Sequence, residues 1–182
     1  MDRTAIILGS TGLIGAHLLK ILLDNDYYQR IITFVRKESG IKHDKLAEYI
    51  INFDKPDLYR DLVQGDDLYC CLGTTIKKAR SKEMFEKVDA FYPAIFADIA
   101  AGNGVSQFLI VSSIGANIDS NNFYLKTKGK CEEAIQAAHI PSISIFRPSL
   151  LLGNRKESRP MEKISQYFMP IFSPLMVGKL KK

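Results

Sequence analysis

Long apolar runs are missing from this chain of 182 residues. No stretch approaches the ~18 consecutive apolar residues that a membrane span requires, so no membrane partner is expected. The N-terminus lacks a charged leader with an apolar core and enters a strand pattern at once, which predicts a cytoplasmic protein without a signal peptide. Cysteine is scarce: Cys70 and Cys71 adjoin in an apolar run, and Cys131 lies in a helical pattern. Thiols so placed, without metal-ligand spacing, fit reduced and buried side chains rather than a disulfide framework. Histidine is equally sparse. His17, His43 and His139 are scattered, and no metal site is expected. Internal repeats, low-complexity tracts and interdomain linkers are absent, and the length fits one domain, residues 1–182, with a substantial core.

Charge is unevenly spread. Residues 1–146 hold 17 Lys/Arg against 18 Asp/Glu, and residues 147–182 hold 8 against 2, so the net charge of +5 belongs to the last fifth of the chain. No recognisable nucleic-acid module accompanies that basic segment, which argues against a nucleic-acid partner. Cofactor phosphates and a solvated end at Lys179, Lys181 and Lys182 account for it more simply.

What is present is an alternation of short apolar runs with helical patterns. Strands are predicted at 4–8, 31–35, 48–53, 68–72, 107–112 and 142–146. Helices are predicted at 13–25, 81–102 and 124–138, with a short one near 57–62 and another at 161–168. This β-α-β order predicts an α/β protein: a doubly wound parallel sheet between two helical layers. Burial on both faces explains why the runs at 5–8, 31–35 and 108–111 are continuous rather than alternating. Pro93 should kink or split the third helix. From Arg147 onward, Pro148, Pro160, Pro170 and Pro174 break the pattern into an irregular segment suited to covering a cofactor or substrate, and its end leaves open whether the chain is truncated.

The richest motif is Gly9-Ser10-Thr11-Gly12-Leu13-Ile14-Gly15, set between the first strand and the first helix. A glycine turn there lets backbone N–H groups approach a pyrophosphate, and the helix dipole favours the negative charge. The spacing is G-x-x-G-x-x-G, and glycines also serve plain turns, so position matters more than pattern. Farther on, Tyr124 and Lys128 stand four residues apart, on one face of a helix. An ammonium beside a phenol favours the phenolate, which makes an acid/base device, and Ser112-Ser113 at a strand end could hold a ligand oxygen. After the second strand stand Arg36 and Lys37, where an acidic residue would favour a free ribose 2′-hydroxyl; cations favour NADP(H) over NAD(H).

Together these motifs resemble the short-chain dehydrogenase/reductases of atypical kind, and more narrowly the HIV-Tat-interacting oxidoreductase family. Ser112-Ser113-Ile114-Gly115-Ala116 and Phe146-Arg147-Pro148 support the likeness, and Cys70-Cys71-Leu72-Gly73-Thr74-Thr75 and Arg155-Lys156-Glu157-Ser158-Arg159-Pro160 are its specific stretches. The resemblance implies a Rossmann-type fold, with Gly9, Ser10, Thr11, Gly12, Leu13, Ile14 and Gly15 at the pyrophosphate. It implies Arg36 and Lys37 at the 2′-phosphate and Leu72 and Gly73 along the adenosine side. Tyr124 would be the acid/base, Lys128 would lower its pKa and hold the nicotinamide ribose, and Ser113 or else Ser112 would bind the substrate carbonyl. Leu151 and Arg159 would close over the nicotinamide half. Val88-Asp89 departs from the pattern, standing where many members of the superfamily carry an asparagine.

Three functions stay open at this point: hydride transfer between NADPH and an unidentified carbonyl, a cofactor-binding regulatory or scaffold module with little turnover, and a sugar-nucleotide epimerase or dehydratase. The 36 residues after Phe146 are few for a substrate domain, which weighs against the last. The expected partner is a small-molecule substrate, with the chain a monomer or a homodimer.

Overall fold

Alternate residues of the first strand feed two separate cores. In β1 (Arg3–Leu8), Ala5 and Ile7 pack with Leu19, Leu22, Tyr28 and Ile31, while Ile6 and Leu8 join Ile32, Phe34, Leu68 and Phe96. The first cluster lies under α1 (Leu13–Leu23), and the second under α4 (Tyr92–Gly102) and α5 (Phe123–Ala137). An unbroken apolar run from Ala5 to Leu8 is what burial on both faces demands. The computed structural model describes residues 2–149, which form one compact unit.

Five further strands complete the sheet: β2 (Tyr28–Val35), β3 (Leu46–Ile50), β4 (Asp67–Cys70), β5 (Gln107–Val111) and β6 (Ser142–Phe146). Their spatial order is β3-β2-β1-β4-β5-β6 and every pairing is parallel. That is the Rossmann order, and it reverses between β1 and β4, where a ligand crevice opens beyond the strand ends. Leu8 is aligned with both Phe34 and Cys70, so the turns that leave β1 and β4 emerge side by side.

The larger core is aromatic beneath β2 and β3. Tyr59 stacks on Phe96 with ring centroids 5.1 Å apart, and Phe34 and Phe53 pack around them. Phe96 is fully buried, and truncation to alanine would cost about 3–5 kcal/mol. Phe53 explains why β3 ends earlier than the apolar run through 53 suggests: the chain has left the sheet, and the ring is buried in this cluster instead.

Other departures from expectation are local. The helix expected near 57–62 is two short 3₁₀ turns, Pro56–Leu58 and Arg60–Leu62. A four-residue helix, α2 (Ile76–Ala79), is added, its N-terminus capped by Thr75 Oγ1 accepting the Lys78 N–H at 3.2 Å. The predicted helix at 81–102 is divided, as Pro93 requires. It runs as α3 (Lys82–Glu86), a π turn at Lys87–Phe91, then α4 with its proline in the first turn. Proline there has no N–H to give the carbonyl four residues back, and the wider turn absorbs the mismatch. The helix expected at 161–168, with the rest of the predicted covering segment from 150 on, lies outside the described residues.

Candidate functional site

Close backbone packing shapes the glycine turn. Gly9 has φ +78°, and a Cβ there would fall 2.6 Å from the Cys71 carbonyl oxygen, so the turns after β1 and β4 touch. A methyl on Gly15 would collide with the Gly9 carbonyl, which seats the first turn of α1 directly on the loop. The Gly12 N–H donates to that same carbonyl at 2.9 Å, and Thr11 and Gly12 are exposed. Leu13 and Ile14, half-buried, start the helix.

Two observations fit a dinucleotide pyrophosphate here. The N-terminus of α1 has no side-chain cap and no acidic residue in its first turn, leaving backbone N–H groups for an anion. The Ser10 hydroxyl is buried without a hydrogen-bond partner, a cost that a ligand oxygen would remove.

At the end of β2, Arg36 and Lys37 are exposed. Behind them is a polar group that the sequence patterns did not single out. Asp54 Oδ1 accepts from Tyr92 Oη at 2.7 Å and lies 2.7 Å from Lys87 Nζ. The Lys87 ammonium and the Tyr92 hydroxyl hold the Asp54 carboxyl below its ordinary range. Burial and Asp54 push the Tyr92 phenol up, and the Arg36 charge pulls the other way, so Arg36 lies within electrostatic reach of this group. Leu72 is half-buried against the main core and Gly73 is exposed, both on the segment leaving β4.

Helix α5 begins at an Asn122 cap, whose Oδ1 accepts the Leu125 N–H at 3.2 Å. It carries Tyr124, half-buried with its ring 5.9 Å from that of Phe85, and Lys128, only 4% exposed. Lys128 Nζ is 2.9 Å from Asp89 Oδ1, and Asp89 Oδ2 accepts the Thr74 N–H at 2.8 Å. Burial opposes the ammonium, but the Asp89 carboxylate, aided by Tyr124, more than offsets this and raises the Lys128 pKa. Asp89 thus holds the ammonium that the motifs assign to Tyr124 and to the nicotinamide ribose. Its partners lie 15 and 39 residues away along the chain, beyond any local motif.

The two serines after β5 differ. Ser113 is half-buried, its Oγ 3.3 Å from the Ile114 carbonyl oxygen, whereas Ser112 is buried beside Glu132. Burial pushes the Glu132 carboxyl up, but the bonds from Arg147, with the Ser112 hydroxyl and the Lys128 charge nearby, bring it below its ordinary value. Arg147 grips both Glu132 oxygens, at 3.0 Å from Nε and 2.6 Å from Nη2. Cys70, Cys71 and Cys131 are free, and burial pushes Cys71 up to about 11 and Cys131 up to about 12, so none is a ready nucleophile. Leu151 and Arg159 lie outside the described residues. Among the described residues, no helix is long and apolar enough to cross a membrane.

The NAD(P)H-binding family matches residues 9–165. The protein HTATIP2 of Rattus norvegicus is 33% identical over 171 residues, covering 92% of this chain and 70% of that protein. A protein named FMP52, mitochondrial, from Meyerozyma guilliermondii is 39% identical over 158 residues, covering 85% of this chain and 67% of its own length. Among solved structures, the Bordetella bronchiseptica enzyme WbmH in complex with NAD+ superposes with a TM-score of 0.74 at 17% identity, covering 93% of this chain. The UDP-glucose 4-epimerase of Thermotoga maritima superposes with a TM-score of 0.70 at 14% identity, covering 85%. This chain spans 63% and 58% of those two structures, and at such identities they share its fold. The match over residues 9–165 and the HTATIP2 and FMP52 relatives establish that the chain belongs to the NAD(P)H-binding family, within the group that includes the Tat-interacting oxidoreductases.

Proposed function

We propose that this chain binds NADP(H) and transfers a hydride between it and a small carbonyl or alcohol substrate. The observation that carries the reading is a run of contacts joining the cofactor turn to the Tyr124 helix. Gly9 abuts Cys71, Thr74 three residues on is held by Asp89, and Asp89 holds Lys128 on the helix of Tyr124. The glycine turn and the uncapped helix would hold the pyrophosphate, and Arg36 and Lys37 the 2′-phosphate. The bound cofactor would supply or accept the hydride. Tyr124 would give its phenolic proton to the carbonyl oxygen as charge develops there, or take it back in the reverse direction. Ser113 would donate a hydrogen bond to the same oxygen. Lys128 would hold the nicotinamide ribose through its fixed ammonium.

One observation favours the second reading, a cofactor-binding module with little turnover: the Lys128 ammonium is already paired with Asp89. HTATIP2 and FMP52 carry no activity in their names, and the epimerase reading has only the likeness of fold behind it. We also propose a cytoplasmic location; the fungal relatives are named mitochondrial, and fractionation of cells expressing the tagged protein decides.

Titration of the purified protein with NADPH and NADH, followed by nicotinamide fluorescence, tests the assignment. NADPH should bind at least about 10-fold tighter than NADH, lose that preference in Arg36→Ala and keep its affinity in Tyr124→Phe. Binding of neither cofactor would overturn the dinucleotide reading. Equal binding of both would overturn the role of Arg36.

A further inference from the structure

Asp89 is 1% exposed, and the π turn at Lys87–Phe91 carries it. Its two oxygens reach different elements: Oδ1 the ammonium of Lys128 on α5, Oδ2 the Thr74 N–H on the segment leaving β4. The same Oδ1 would be 3.5 Å from a Cβ on Gly73, so the carboxylate also lies against the crevice wall. We propose that Asp89 is the positioning residue of this site, fixing the Lys128 ammonium with one oxygen and the crevice-lining segment 71–74 with the other. Its part in catalysis rests on the oxidoreductase reading; its grip on Lys128 does not.

The chemistry requires a carboxylate. Both partners are donors, so both atoms facing them must accept. An asparagine in the same pose offers one acceptor and one NH₂, and whichever way it turned, a donor would face a donor. Moreover, a buried ammonium needs a counter-charge at contact. Among the described residues, the groups that interact electrostatically with Lys128 are Tyr124, Cys131 and Glu132 on α5, Cys70 on β4, and Asp89. Glu132 is already gripped by Arg147, whereas Asp89 Oδ1 stands 2.9 Å from the ammonium itself. The balance therefore falls to Asp89. The local backbone agrees, because the extra residue of a π turn re-aims a side chain at the cost of regular helix geometry, and such turns recur at functional sites.

The test reads Lys128 directly, in the full chain without cofactor. Competitive acetylation across pH, quantified by peptide mass spectrometry, gives the pH at which each lysine becomes half-reactive. In Asp89→Asn the Lys128 midpoint should fall by about 1 unit or more and its labelling at neutral pH rise about 10-fold. Lys126 and Lys130 on the same helix serve as internal references and should not move; general loosening would speed all three without shifting one midpoint. Asp89→Glu, which keeps both acceptors, should restore the midpoint. A Lys128 midpoint unchanged in a folded Asp89→Asn variant overturns the proposal. Should that variant not fold, Asp89→Asn/Lys128→Met removes both charges: recovery of the fold supports the pairing, and no recovery overturns it. NADPH titration of the same proteins is the second arm, with Asp89→Asn expected to bind at least about 5-fold more weakly through the released 71–74 segment. If the unmodified protein binds no NADPH, the oxidoreductase reading fails while the Lys128 midpoint still decides the role of Asp89.

Discussion

The backbone of Ile118 lies so close to Gly129 that a methyl group on the glycine would overlap the Ile118 nitrogen and the Asn117 carbonyl carbon. Gly129 follows Lys128 directly, so the loop between β5 and α5 rests on the helix that carries the acid/base pair. The Asn117 N–H donates to the Leu125 carbonyl at 3.2 Å and ties the loop down a turn earlier.

Gly129→Ala is therefore expected to push the loop off the helix. The gain of helix propensity, about 1 kcal/mol, is outweighed by overpacking against backbone, giving a net loss of about 1–3 kcal/mol. Urea denaturation of the variant and parent measures it, and a stabilised variant would show that the loop gives way freely.

Gly15→Ala and Gly12→Ala separate two reasons for glycine in one motif. At Gly15 the added methyl meets the Gly9 carbonyl, so stability and cofactor affinity should fall together. Gly12 is exposed, and its Cβ would be 3.3 Å from the Gly9 oxygen, tight but not closed. Its substitution should reduce NADPH affinity about 10-fold or more with a thermal midpoint shift of only about 1–2 °C. Equal effects of the two changes on stability would refute this division.

That contrast also marks how far the sequence was legible. Continuous apolar runs announce strands buried on both faces, and the glycine motif after Leu8 locates the crevice, because both signals are local. Phe53 misleads, since an apolar residue reports burial and not strand. Short α2 escapes because four residues hold no periodicity. Asp54 and Glu132 escape for another reason, and Asp89 shows only as a departure from the superfamily pattern: each takes its role from partners on distant segments, and only the topology brings them together. Among the residues assigned from motifs, Tyr124 and Lys128 share a helix face as their spacing requires.

Glu132 and Arg147 give the fold a pH dependence of known sign. Glu132 has a lowered pKa, so the stability it contributes is complete above its unfolded value and declines as pH falls through the folded one. Thermal midpoints from pH 7 downward should fall less steeply in Glu132→Gln than in the parent below about pH 4.5. Arg147→Ala should lower the thermal midpoint at neutral pH, because the buried Glu132 carboxylate loses its main partner although the guanidinium is half-exposed. Parallel pH profiles for Glu132→Gln and the parent would assign the dependence elsewhere.

Asp67 closes a second buried network, at the opposite end of the strands from the crevice. It accepts from Tyr28 Oη at 2.5 Å and lies 2.7 Å from Arg3, and the Tyr28 and Tyr69 hydroxyls are 2.8 Å apart. These residues open β1, β2 and β4, or stand within β4, so the network pins three adjacent strands near their N-terminal ends. Burial, reinforced by the bond to Asp67, raises the Tyr28 phenol, which stays a neutral donor at any ordinary pH. Tyr28→Phe should cost about 1 kcal/mol, and Asp67→Ala about 2–4 kcal/mol, because it removes the shared acceptor of the Tyr28 hydroxyl and the Arg3 guanidinium, leaving the first with Tyr69 alone. Cofactor affinity should not follow, since the glycine turn, Arg36 and Asp89 all lie beyond the other ends of the strands. NADPH titration at a temperature where both variants are folded checks this separation, and a 10-fold loss of affinity in Tyr28→Phe would mean that the two ends of the sheet are coupled.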